Sequence, residues 1–289
     1  TLQIQRGGAQ HTVDVNLSGA GVLAGNNADY FLQTSDRSAL LLLVVDDTPE
    51  AQALQDVLAQ EMPLFVNDLV ARGIDATIGV TLTDGHPLGT LVGLPGLLSS
   101  AAPNTPADLS RRVAAGTAGL GPSAGIEASL AALGGRINND AWTGVIYASP
   151  VDDASSMANY PALLAALLAP ADTLVISAIV PDGATGCGPG ALRYLALVSA
   201  TGGASVSACS MTFDTVLNGF GGRDFGLRFR YHLNGTPAAL PVSVFIDGRP
   251  VADADVGYDS NFNDIVLSRR AIAQPGSIVE ARYAASCGR

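Results

Sequence analysis

The run Ala39-Leu-Leu-Leu-Leu-Val-Val45 constrains the fold more than any other stretch: it is short, apolar at every position, and closed by Asp46-Asp47. A strand apolar on both faces belongs in the middle of a parallel sheet covered on both sides, and its carboxyl end delivers polar residues to the sheet edge. Pro49 suits the first turn of a helix. After it, Leu54, Leu58, Met62, Phe65 and Leu69 recur at spacings of three and four until Gly73. That pattern predicts an amphipathic helix with its stop signal. Residues 75–82 (DATIGVTL) then predict a second strand, completing a right-handed strand-helix-strand unit.

The alternation continues. Helical patterns at 106–115 and Gly125–Leu133 precede an apolar strand at Trp142–Ala148; a helix is expected at 160–168, a strand at 173–180, a helix at 190–199, a strand at 204–208 and a closing helix at 211–220. This order specifies the α/β class, a doubly wound and mostly parallel sheet with helices on both faces. From Gly221 onward the pattern changes. Residues 225–231, 242–246, 263–268 and 278–283 are strand-like, with turn signals at Asp247-Gly248 and Pro275-Gly276 and no helical period between them. A small C-terminal antiparallel β domain follows. The first 34 residues also alternate apolar and polar (Val13, Val15, Leu17), so they could add strands to that unit. The expected division is a β segment over 1–35, an α/β domain over 36–221 and a β domain over 222–289.

Charge narrows the function. With 26 acidic residues against 15 basic ones the net charge is −11, which excludes a phosphate-binding surface and with it a nucleic-acid partner. Every basic residue is Arg, so no lysine is present to form a Schiff base or complete a P-loop. Only 14% of residues are charged, too few to cover a monomer of this size comfortably, and large subunit interfaces would resolve that shortage. No apolar run approaches the ~20 residues a helix needs to cross a bilayer. A start at Thr1 with neither Met nor a signal segment fits a mature form after export, and fits a trimmed chain equally. The three cysteines, Cys187, Cys209 and Cys287, lie in the second half without C-x-x-C spacing; in an exported chain that predicts one disulfide and one leftover thiol.

The run Leu42-Leu-Val-Val-Asp-Asp-Thr-Pro-Glu50, a long helix, and then Ile78-Gly-Val-Thr-Leu-Thr-Asp84 resembles von Willebrand factor A domains. The resemblance is to those of exported proteobacterial proteins in particular, where one strand ends in Asp-x-Ser-x-Ser and the next in Thr-Asp. Ser177-Ala-Ile-Val, Gly186-Cys187, Arg193-Tyr194, Gly202-Gly203, Cys209 near Phe213, Val244-Phe-Ile-Asp-Gly248 and a terminal Tyr283 and Cys287 extend it over residues 31–287. It implies a divalent cation, Mg or Ca, held at the strand edge with one position open to a partner's carboxylate. On that pattern Asp46 is the first ligand and Thr48 the first hydroxyl, Glu50 stands where a second hydroxyl is expected, and Pro150 falls where a later carboxylate should be, with Asp152 and Asp153 just beyond. Magnesium demands a near-octahedral oxygen set, so the site is degenerate. Either Glu50, Asp152 and Asp153 rebuild a cation site of altered geometry, or the cluster is a solvated loop. The resemblance also implies a Cys187–Cys209 pair, leaving Cys287 as a buried thiol or a link between subunits.

A second acidic stretch, residues 251–266, contains Asp253, Asp255, Asp259, Asn261, Asn263 and Asp264. These could cradle calcium, although the closing Glu of an EF-hand is missing; the alternative is a turn-rich hairpin in which Asn and Asp bind their own backbone. The glycine-rich stretches 116–125 and 183–190 lack the order of a phosphate cradle and read as loops. His11, His86 and His232 are scattered and no G-x-S-x-G elbow is present, so no enzyme is expected. The expected function is that of a non-catalytic exported protein that binds other proteins, copies of itself included, as a structural subunit of a cell-surface or extracellular assembly. The alternative is a divalent-metal-assisted adhesion or receptor module.

Overall fold

The computed structural model describes residues 2–6, 9–13, 26–84, 87–134, 142–156, 173–184 and 186–285. The helix expected at 160–168, His86 and Cys287 lie outside the described residues.

The chain opens with a hairpin, β1 (Leu2–Arg6) and β2 (Ala9–Val13), followed by β3 (Asn26–Leu32). Next come β4 (Arg37–Val45), α1 (Gln52–Ala71), β5 (Ile74–Leu82), β6 (Leu97–Ser99), α2 (Thr105–Val113) and α3 (Gly125–Leu133). The alternation continues through β7 (Trp142–Ala148), β8 (Leu174–Ile179), α4 (Leu192–Thr201), β9 (Ser205–Val206) and α5 (Asp214–Leu217). The strands β10 (Arg230–His232), β11 (Ser243–Ile246), β12 (Arg249–Pro250), β13 (Val256–Asp259), β14 (Asp264–Leu267) and β15 (Ile278–Ala284) complete the order.

Six strands form one sheet in the order β6-β5-β4-β7-β8-β9, parallel except for the β5–β6 pair. The apolar run read from sequence is its centre. Leu41, Leu43 and Val45 of β4 join α1, α2 and α5 in one core, whereas Leu42 and Val44 join α3 and α4 in another on the opposite face. Each such side chain, fully buried, stabilises the fold by about 1.5–3 kcal/mol relative to exposure. α1 buries Leu54, Leu58, Met62, Phe65 and Leu69 and stops at Gly73, whose φ of 70° only glycine adopts without strain.

The closing helix expected at 211–220 contracts to the single turn of α5. Gly219, Gly221 and Gly222 all take positive φ there, and the Phe213 amide is held by the Glu61 carboxylate instead of a helical carbonyl. The strand expected at 225–231 also shortens, to β10. Phe225, Leu227 and Phe229 are buried at every second position, but in the α/β core and not in a ladder; Phe225 and Phe229 lie 5.3 and 6.3 Å from the Trp142 ring. Burial under a sheet edge produces the same period of two as a ladder.

Apart from the β1–β2 pair, which stands as its own two-stranded sheet, the remaining strands form two small antiparallel sheets, β12-β11-β15-β3 and β10-β14-β13, which share a third core around Tyr231, Val244, Ile265, Val279 and Tyr283. β3, from the N-terminal segment, pairs along its whole length with β15. This β unit meets the amino ends of the parallel strands: Ser38 donates to the Gly226 carbonyl and Trp142 Nε1 to the Leu227 carbonyl. The carboxyl edge of the sheet lies on the far side.

Candidate functional site

In an open α/β sheet the place to look is the crevice outside the carboxyl ends of the strands where strand order reverses. Here β4 is followed by β5 on one side and β7 on the other. Asp46 closes β4 and Ser149 closes β7, and both are fully buried. Asp46 Oδ1 accepts the Thr48 N–H at 2.8 Å and Oδ2 accepts the Ser149 hydroxyl at 2.6 Å, while Ser123 Oγ lies 3.5 Å from Ser149 Oγ. Gln55, buried on α1, donates to the Asp46 carbonyl and to the Gly116 carbonyl, tying the strand end to the loop over 116–123.

The neighbouring carboxylates clamp that loop. Asp47 turns away from Asp46, accepting the Thr83 hydroxyl at 3.3 Å and the Asp84 N–H at 3.2 Å, and its carbonyl accepts the Gly119 N–H. Asp84 Oδ2 accepts the N–H groups of Leu120 and Gly121 at 2.7 and 2.5 Å. Both glycines are required by approach distance. A Cβ on Gly119 would lie 2.8 Å from the Asp47 carboxyl carbon, and one on Gly121 2.3 Å from Asp84 Oδ1. Burial, with the charge of Asp84 adding to it, raises the Asp47 pKa above its usual value of 3.8.

The other residues singled out from sequence go elsewhere. Glu50 is exposed on the turn before α1. Asp152 accepts the Arg193 N–H at the start of α4. Asp153 accepts the Ile126 N–H at the start of α3, and also pairs with the Arg193 guanidinium at 3.2 Å. Carboxylates at helix amino termini satisfy orphan amides and the helix dipole. Beside Pro150, it is Ser149, one residue earlier, that reaches Asp46. The signal was in the sequence, because Ser149 directly follows the last apolar residue of its strand, as Asp46 does.

The donor set therefore suits a divalent cation poorly. It offers one carboxylate, both of whose oxygens already hold protein donors, together with hydroxyls. One detail fits a cation: Thr48 Oγ1 is buried with no hydrogen-bond partner among the described residues. Those residues contain no group of three or more His, Cys, Asp or Glu side chains arranged to hold a metal.

The acidic stretch over 251–266 is a hairpin of β13 and β14. A protein cation stands in its middle: Arg230 reaches Asp259 at 2.5 Å and Asp264 at 3.4 Å, with His232 on the other Asp264 oxygen. Asp255 binds the Ser268 hydroxyl and Arg270, and the Asp259 carboxylate also accepts the Asn261 N–H. Asn263, at φ 58°, accepts the Tyr258 hydroxyl and donates to the Leu233 carbonyl, while Asp253 is exposed. Cys187 and Cys209 are joined, linking the loops after β8 and β9 at the carboxyl edge.

That edge carries a further feature that sequence reading passed over. Leu120, Val151 and Met211 stand on loops and Leu192 opens α4; they are exposed by 98, 42, 88 and 72%.

The chain matches no protein-family model and no curated protein. Solved structures similar to it include a von Willebrand factor type A protein from Catenulispora acidiphila, at 12% identity and a TM-score of 0.48, covering 91% of this chain and 66% of that one. Another is the pilus adhesin SpaC of Lactobacillus rhamnosus GG in its open conformation, at 10% identity and 0.43, covering 89% and 40%. A third is proximal thread matrix protein 1 of the mussel byssus, at 12% and 0.41, covering 62% and 46%. This chain thus spans about two thirds of the first and less than half of the others. At this distance the likeness says nothing of what the chain binds.

Proposed function

We propose that this chain is a non-catalytic protein-interaction module, exported to the cell surface or beyond, that contacts partner proteins through the carboxyl edge of its parallel sheet and also associates with copies of itself. The observation that carries the reading is the set of exposed Leu120, Val151, Leu192 and Met211 on that one edge. In a chain with so little charge, apolar side chains gathered on one face are what a partner covers. The Cys187–Cys209 bond supports an oxidising compartment. The one histidine whose side chain is described, His232, is engaged by Asp264 in the β unit, away from the edge where a nucleophile would need it.

Light scattering on the native protein, with and without EDTA, tests this. Particles heavier than one chain and indifferent to EDTA support it; a monomer at all concentrations overturns self-association. The competing reading, a cation-assisted module, draws on the orphan hydroxyl of Thr48. Calorimetric heat and a thermal shift with magnesium, calcium or manganese, both lost in Thr48→Val, would favour it instead.

A further inference from the structure

The β1–β2 ribbon and the rim of β3 each present an edge that pairs with no other strand among the described residues. β1 and β2 form a two-stranded ribbon, in register from Leu2↔Val13 to Arg6↔Ala9, that pairs with no other described strand. A lone ribbon of this size is at best marginally stable in water. The second edge is β3, outermost in its sheet. Gln33 donates its N–H to Ser277 and accepts from Gly276. By the alternation of an antiparallel ladder, the backbone groups of Ala28, Tyr30 and Leu32 therefore face away from β15. Among the described residues no backbone hydrogen bond reaches them.

Nothing on this rim discourages pairing. From Asn26 to Leu32 it has no proline or bulge, and its one charge, Asp29, turns inward to Asn234 and Tyr283. Tyr30 and Leu32 are more than half exposed. A regular edge strand without such protection is a template for another strand. The ribbon suits it in charge: residues 2–13 include Arg6 and no acidic residue, within a chain whose net charge is −11.

We propose that the β1–β2 ribbon of one copy adds to the outer edge of β3 in a second copy, extending its four-stranded sheet through main-chain hydrogen bonds. This rests on the self-association reading above and names a surface for it. Donor and acceptor differ, so the contact is head to tail and propagates along a filament unless a ring closes.

Two variants test it. Ala28→Pro removes an outward N–H while leaving every bond to β15 in place, as edge strands permit, and deletion of residues 1–13 removes the donor strands. Each variant alone should run as a monomer by light scattering, with unchanged far-ultraviolet circular dichroism. An equimolar mixture should form a 1:1 heterodimer, since the deleted chain keeps its rim and the proline chain keeps its ribbon. A synthetic peptide of residues 1–13 should also bind the deleted chain, and bind at least tenfold more weakly once Ala28→Pro is added. If Ala28→Pro fails to fold, the deletion and the peptide still decide. Association that survives the deletion but is lost in Leu120→Ser with Met211→Ser overturns strand addition and leaves the sheet-edge reading standing. A monomeric wild-type chain whose Ala28, Tyr30 and Leu32 amides resist exchange overturns it in favour of closure within one chain.

Discussion

Asp47 and Asp29 are both buried carboxylates, and their surroundings push them in opposite directions. Around Asp47 burial outweighs the hydrogen bonds and raises the pKa. Around Asp29 burial also works upward, but donors from Tyr283 and Asn234 together carry the pKa below 3.8. The consequences for stability follow by linkage. Folded Asp47 holds its proton more tightly than unfolded Asp47, so its charge costs stability as pH rises from its usual value through the raised one. Asp47→Asn, whose Oδ1 can keep the Thr83 and Asp84 donors, should gain on the wild type between pH 3 and 7 in urea melts. Asp29 behaves in reverse: its stabilisation is present above its usual value and is lost as pH falls through the lowered one. Asp29→Ala should therefore cost more at pH 7 than at pH 3 in the same melts.

At the level of elements, the loop over 116–123 and the disulfide hold the carboxyl edge in shape. Gly121→Ala drives a methyl into the Asp84 carboxylate and should cost about 1–3 kcal/mol, as overpacking does. The accompanying sign is faster amide exchange at Leu120 and residue 121, whose N–H groups lose their acceptor; unchanged exchange there would show that the clamp is not needed. Replacing Cys187 and Cys209 together by Ser opens a loop with a sequence separation of 22 and should lower stability by about 3 kcal/mol, measured as a fall in the urea midpoint. Arg230 has a comparable role in the β unit, neutralising the Asp259 and Asp264 carboxylates that face it.

The molecule as a whole should unfold in one step. Phe225, Leu227, Phe229 and Ile272, beyond the end of the α/β alternation, are buried in the same core as β4 and α1, and Trp142 is hydrogen-bonded across that junction. Trp142 is the only tryptophan, so its fluorescence reports on the junction, whereas far-ultraviolet circular dichroism reports on both units. The two denaturation curves should coincide; a fluorescence change that precedes the loss of secondary structure would mean the units part first.

The sequence by itself determined the parallel sheet, because residues 39–45 are apolar on both faces and only a central strand covered on two sides buries them all. It also determined α1, whose spacing of three and four and terminal glycine leave no other element. Asp46 was legible for the same reason, as the first polar residue after the central strand. Tertiary structure alone decided which side chains gather beside it. Ser149 reaches Asp46, and Ser123 reaches Ser149, through chain reversals of many residues; the strand end marks Ser149 as a polar edge residue, but no local pattern says that it meets Asp46 or that Ser123 joins it. It also decided what the acidic residues do: Asp152 and Asp153 look like ligands in one dimension, but helix amino termini and Arg193 claim them in three. Likewise the period of two at Phe225, Leu227 and Phe229 records a buried face, and only the presence of Trp142 beneath it distinguishes that from a strand. Periodicity reports how much of a segment is covered, while the partner doing the covering is a long-range contact that local sequence does not encode.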